Sequence, residues 1–254
     1  MRAPKRVVIP IDSEEPASWE LARAYAEKML ELSEVRSSEV ILLTHTKQQL
    51  RHTSLGSHIG EGAVKVLLKN QTLSMPPSAR LRHETIKTIG TFVRGAVVIV
   101  FYADEKLLEL VDGLDGIAGV VVVPWIPGDV DNWIARWNPI VHGKPQTEAA
   151  DLLSDKTVER ALTSVTRMIN LAHGVLHPRD KQYADDVLRI LRAKGHMLKA
   201  EAIKSWAISK GWKPDAASEL AKLANRIANL KSKPSISKIH DPHGRYERWV
   251  SGQD

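Results

Sequence analysis

The 254-residue chain contains no cysteine. That absence removes disulfide bonds, thiolate catalysis and cysteine-ligated zinc or iron–sulfur centres from consideration, and it fits a cytoplasmic setting. Long apolar runs are missing as well. A membrane-spanning helix needs about 18 or more consecutive apolar residues, whereas the longest run here, Ala96 to Tyr102, has the length of a strand. No membrane partner is expected. The N-terminal MRAPKRVVIPID is positively charged, but its short apolar stretch ends at Asp12, which reads as a first strand rather than a signal peptide. Recognised catalytic spacings are also absent: there is no G-x-S-x-G elbow, no H-E-x-x-H, and no close carboxylate pair at an expected strand end. Whether the chain is an enzyme stays open at this point, because catalytic groups converge in space and not in sequence. No cofactor is indicated.

What is present is a strong charge asymmetry. From Pro178 to Asp254 there are sixteen Lys and Arg against nine Asp and Glu, whereas the rest of the chain carries twenty basic and twenty-one acidic residues. The whole positive excess therefore sits in one small segment, the electrostatic footprint of phosphate binding. The asymmetry divides the chain into an α/β domain over residues 1–145, a connector helix over 146–176 and a basic C-terminal domain over 177–254.

In the first part, four apolar runs predict strands: Arg6–Ile11, Glu39–Thr44, Ala96–Tyr102 and Val120–Trp125. Nearly continuous Val and Ile indicate parallel strands covered on both faces. Helical patterns over Ser18–Leu32, Asp104–Leu114 and Asp129–Trp137 lie between or after them, and Asp12 with Glu15 resembles a capping box. The alternation predicts a doubly wound, mostly parallel sheet of the Rossmann or flavodoxin-like kind. Ligands in such sheets bind beyond the carboxyl ends of the strands. This nominates Asp12, Ser13, Thr44 to Thr46 with His45, Tyr102, Asp104, and Trp125 to Asp129 for a small ligand, with helix capping as the alternative reading of Asp12 and Asp104.

Residues 47–95 are the least readable. Gly56, Gly60 and Gly62 suggest a phosphate-cradling turn or a flexible loop, and their G-x3-G-x-G spacing matches no known fingerprint. Arg80 and Arg82 with His83 suggest an anion contact or a solvated face. His45, His52, His58 and His83 include no i, i+4 pair, so no metal site is assigned.

Ala149–Ala172 predicts a connector helix with Val158, Leu162, Val165 and Ile169 along one face. That face packs within the chain or pairs two copies into a dimer. Beyond it come three helices, about Lys181–Lys194, Lys199–Lys210 and Pro214–Lys231, the last two joined by Gly211-Trp212-Lys213. A short glycine-containing turn between two helices is the helix-turn-helix signature. Alternation over Ser235–His240 and Arg245–Val250 around Asp241-Pro242-His243-Gly244 predicts a β-hairpin.

This order, with the Gly-Trp-Lys-Pro turn and the basic hairpin, resembles the winged-helix family of DNA-binding domains over roughly the last 75 residues. The resemblance implies that Pro214–Lys231 enters the major groove and that the hairpin contacts backbone or minor groove. The nucleic-acid-binding residues it implies are Lys213, Ser218, Lys222, Asn225, Arg226, Asn229, Lys231, Lys233, Lys238, His243, Arg245 and Arg248. Asp215 and Glu219 depart from it, since they would repel phosphate. The function expected is a DNA-binding regulator, acting on double-stranded DNA, whose α/β domain senses a ligand or holds a partner. The alternatives are a nucleotide- or nucleic-acid-acting enzyme and a protein-docking scaffold subunit.

Overall fold

The computed structural model describes residues 4–32, 37–75, 79–169, 171 and 175–253. The chain divides into two compact units, Met1–Ala149 and Ala150–Asp254.

The first unit is α/β. Its elements are β1 (Lys5–Val8), α1 (Pro16–Glu31), β2 (Glu39–Thr44), α2 (Lys47–His52), α3 (Ser54–Ile59), α4 (Glu61–Leu68), β3 (Leu73–Met75), β4 (Ala79–Thr85), β5 (Val97–Ala103), α5 (Glu105–Asp112), β6 (Gly119–Pro124), α6 (Asp131–Trp137) and β7 (Ile140–Val141). They build one seven-stranded sheet in the order β3-β4-β2-β5-β6-β1-β7. Every neighbouring pair is parallel except β3 with β4. The four Val/Ile-rich runs become β1, β2, β5 and β6. Strands buried on both faces need apolar residues at every position, and β5 and β6 are buried throughout.

The two faces are covered by different helices. Val7, Ile9, Val40, Leu42, Val97, Ile99, Val121 and Val123 pack with Trp19, Ala22 and Met29 of α1 and with Leu50, Leu55 and Leu67 of α2 to α4. The alternate residues Val8, Ile41, Leu43, Val98, Val100, Val120 and Val122 pack with Leu107 and Val111 of α5 and with Trp133 of α6. Below that second layer, Asp112 is sealed in by three donors: Trp133 Nε1 at 3.1 Å, Trp137 Nε1 at 2.9 Å and Arg136 Nη1 at 2.7 Å. Burial pushes the Asp112 carboxyl above its ordinary range against the opposing pull of Arg136 and the indole donors.

Several sequence expectations change. Asp12 and Glu15 form no capping box: Asp12 Oδ1 accepts from the Glu14 amide at 2.9 Å, and α1 opens on Pro16 without a side-chain cap. The described residues of 47–95 include α2 to α4, β3 and β4, so the segment with Gly56, Gly60 and Gly62 is helical rather than a flexible loop. Gly56 lies inside α3 where an added Cβ would sit 2.5 Å from the Leu50 carbonyl oxygen, so it permits close helix contact. Gly60 takes φ of 96° and joins α3 to α4.

The second unit is helical: α7 (Lys156–Met168), α8 (Pro178–Ala193), α9 (Ala200–Ser209), α10 (Pro214–Ala228) and α11 (Pro242–Ser251). The connector is not a separate element. Its described helix begins at Lys156, where Asp155 Oδ1 accepts from the Thr157 and Val158 amides at 2.9 and 3.3 Å. Residues 170 and 172 of the expected helix lie outside those described. Val158, Ala161, Leu162 and Val165 are buried, and α7 packs against α8 and α11. Val158, Leu162 and Val165 of the expected apolar face are thus covered within their own unit.

The hairpin is corrected too. Among the described residues 150–254 there is no strand. Asp241 caps α11 by accepting from the Gly244 amide at 3.1 Å, and Pro242 starts the first turn. Proline at the first helical position after an acidic cap is a helix-opening pattern. Trp249 is then buried at helical spacing from Pro242, Arg245 and Tyr246. A winged helix's wing is therefore missing from the described residues. None of the described helices is long and apolar enough to cross a membrane.

Candidate functional site

The chain leaves β1 and β2 toward one face of the sheet, and leaves β5 and β6 toward the other. Two adjacent pairs, β2/β5 and β6/β1, therefore have connections that diverge, and each opens a crevice at the carboxyl ends where α/β proteins bind ligands.

At the β2/β5 crevice, His45 Nε2 lies 3.0 Å from Asp104 Oδ2. The other oxygen of Asp104 caps α5, accepting from the Leu107 amide at 2.9 Å. Capping and His45 contact thus use the two oxygens of one carboxylate. Tyr102 stands beside them with φ of 59°, an uncommon conformation for a bulky residue and one that stores strain. It falls at a register irregularity between Phe101 and Ala103. Alternation would send Tyr102 to the same face as Val98 and Val100. The bulge turns it to the opposite face instead, where its hydroxyl donates to Thr53 Oγ1 at 2.7 Å, accepts from the Leu55 amide at 3.2 Å and lies 3.1 Å from Ser54 Oγ. Ser13 is buried nearby, its carbonyl 3.4 Å from Ser54 Oγ. Of the sequence-nominated residues, His45 and Asp104 thus form one pair, while Tyr102 and Ser13 both meet Ser54 at the start of α3.

Arg80 and Arg82 do not join them. Arg80 projects from the exposed face of β4, and Arg82 is held between Glu39, at 2.8 Å, and Glu84. An arginine shared by two carboxylates has little left for an anion. Gly62 sits in the first turn of α4 facing open space. His83 is buried, and its Nε2 lies 2.9 Å from Thr44 Oγ1. Since the Thr44 hydroxyl donates to the Thr46 carbonyl at 3.0 Å, His83 donates through Nε2. Burial, assisted by Lys47, lowers its pKa to about 4.

The β6/β1 crevice is open. It encloses about 690 Å³ beyond the ends of these strands, with Pro10, Ile11, Trp125, Ile126 and Ile134 forming apolar walls and Asp12, Asp131 and Lys144 supplying the charge. The Trp125 ring also meets Tyr102, their centroids 5.6 Å apart. Asp12 belongs to this crevice rather than to the first. Sequence reading nominated Asp12 and the Trp125 segment but missed the wall from Val141 of β7 and the following Lys144, because a two-residue strand has no periodicity to detect.

In the helical unit, α9 and α10 are joined by Lys210–Lys213 with Gly211 at φ 91°. Trp206 and Trp212 are buried on one side of this turn, with Ala217, Leu220 and Ala224 of α10. The outward face of α10 holds Asp215, Ser218, Glu219, Lys222, Asn225, Arg226 and Asn229. It is not a basic stripe. Arg226 Nη2 pairs with Asp185 at 2.7 Å, Lys181 pairs with Glu219 at 3.7 Å, and Asn229 bonds back to Asn225. Lys213 is half-buried at the cap of α10 and is also engaged. On α11, His243 Nδ1 accepts from Lys194 at 3.4 Å, Arg245 lies over the Tyr183 ring at 4.7 Å, and Arg248 pairs with Asp241 at 3.2 Å. These α11 side chains each contact a group of their own unit. Lys222, Lys231, Lys233 and Lys238 differ: all are exposed, and none has an acidic partner among the described residues. Buried Pro234 anchors the non-helical segment that carries the last three.

Residues 154–250 match the family described as a domain of unknown function, DUF1889. The match begins just before α7 and ends within α11. Comparison with curated proteins gives no match.

Proposed function

We propose that this protein binds nucleic acid, double-stranded DNA first among the candidates, through the C-terminal end of α10 and the lysine-bearing segment that follows. The α/β unit then serves as the ligand-sensing or partner-holding part of a regulator. The observation that carries this reading is the set Lys222, Lys231, Lys233 and Lys238. Four exposed ammonium groups without acidic partners on a helix-turn-helix framework supply phosphate contacts. The acidic residues at the start of α10 and the pairing of Arg226 argue for backbone contact by the C-terminal end, rather than for insertion of the helix N-terminus into a groove.

The test is titration of the full chain with a random-sequence duplex at several salt concentrations, beside a variant with all four lysines changed to Ala. The parent should bind with steep salt dependence. The variant should lose affinity at low salt, and its log–log salt slope should shrink by about three to four, the share of four phosphate contacts. Equal slopes, or no binding by the parent at low salt, would overturn the reading.

A further inference from the structure

The geometry points to the crevice between β1 and β6 as a binding site for a protonated aromatic amine. This inference stands apart from nucleic-acid binding and rests on the α/β unit alone.

The volume of about 690 Å³ falls in the range of small-molecule sites, which are mostly apolar with a few convergent polar groups. Trp125 is 51% exposed and Ile126 58% exposed at this crevice. A flat apolar ring laid against them would remove that surface from water. The indole face also attracts a cation.

Charge then selects among flat ligands. Asp12 and Asp131 line the crevice with no ion-pair partner among the described residues, and Lys144 is the single cation there. Two carboxylates against one ammonium favour a ligand bearing a positive charge and oppose a phosphate or sulfonate. The glycines that suggested a phosphate cradle are used elsewhere, in α3 and α4. At the other pair of strand ends, the Tyr102 hydroxyl is already engaged by Thr53, Ser54 and Leu55.

Calorimetric titration of the full chain with 2-naphthylmethylamine and with 2-naphthalenesulfonate tests the assignment, because the two probes share a ring and differ in charge. The amine should bind at least ten-fold more tightly. Changing Asp12→Asn together with Asp131→Asn should bring the two affinities within about two-fold. Trp125→Ala should weaken the amine ten-fold or more with the thermal midpoint held. Should that variant unfold, Ile126→Lys at an exposed position must produce the same loss. Equal or tighter binding of the sulfonate, no heat with either probe, or a charge preference that survives the double substitution would each overturn the proposal.

Discussion

His196 Nδ1 lies 2.6 Å from Asp155 Oδ2, so the carboxylate that caps α7 is also tied to the turn between α8 and α9. The other ring nitrogen of His196 lies 3.0 Å from the Tyr246 hydroxyl on α11. One imidazole thus joins three helices. Burial works against the Asp155 charge, but the His196 contact and the Val158 and Thr157 amides prevail and hold its pKa below the ordinary carboxylate value.

Asp155→Ala should therefore destabilise the helical unit by about 1–2 kcal/mol, at the upper end for loss of a cap. Urea unfolding followed by far-UV circular dichroism checks this. Because the folded-state pKa is depressed, the contribution is present above the unfolded-state pKa and is lost as pH falls through the folded value. The parent and the variant should converge in acid.

His83 gives the α/β unit a different pH signature. The unfolded chain takes up a proton at an ordinary histidine pKa near 6.5, and the folded chain only near 4. Between those values the unfolded state binds more protons, so stability falls as pH is lowered through that window and levels off below it. The total is about 3 kcal/mol at 1.36 kcal/mol per unit. Unfolding free energies of the parent and His83→Gln at pH 7.5 and pH 4.5 should show a smaller decline in the variant.

Asp112→Ala should destabilise the α/β unit by about 3–5 kcal/mol, because it leaves the Arg136 guanidinium buried without its carboxylate. Changing Asp112 and Arg136 together to apolar residues of similar volume should recover much of that loss, which a double-mutant cycle would measure.

Trp206→Ala should cost the helical unit about 3–5 kcal/mol, since the side chain is 2% exposed between α9 and its neighbours. Thermal unfolding reads this directly, and a shift under 1 kcal/mol would contradict the packing described.

Arg226 and Lys222 lie four residues apart on α10 and should behave oppositely. Arg226→Ala breaks the pair with Asp185 and should show mainly in stability, by less than about 1 kcal/mol given its exposure. Lys222→Ala should leave stability unchanged and weaken duplex binding at low salt.

The central strands were legible because burial on both faces demands Val and Ile at every position, as in Val97 to Phe101. β4 was not, because its inward set includes His83 and Thr85 and its outward set Arg80, Arg82 and Glu84, so polar residues obscure the alternation. α11 was misread for a related reason: Tyr246 and Trp249 fit either a strand or a helix over so short a span, and the Asp241-Pro242 opening decides for the helix. The open crevice was half legible. Asp12 and Trp125 follow from strand ends, but the bulge that turns Tyr102 to the other face depends on pairing between β5 and β6 and leaves no mark in the sequence.

The first strand pairs with β6 and β7 and with no element near it in the chain. During synthesis, Lys5–Val8 must therefore wait until residues up to about Val141 have left the ribosome before it gains its hydrogen-bonding neighbours. Closing so long a loop is costly and slow. The crevice with Asp12 at its edge is assembled at that same closing step, so its walls are complete only when the ends of the α/β unit meet.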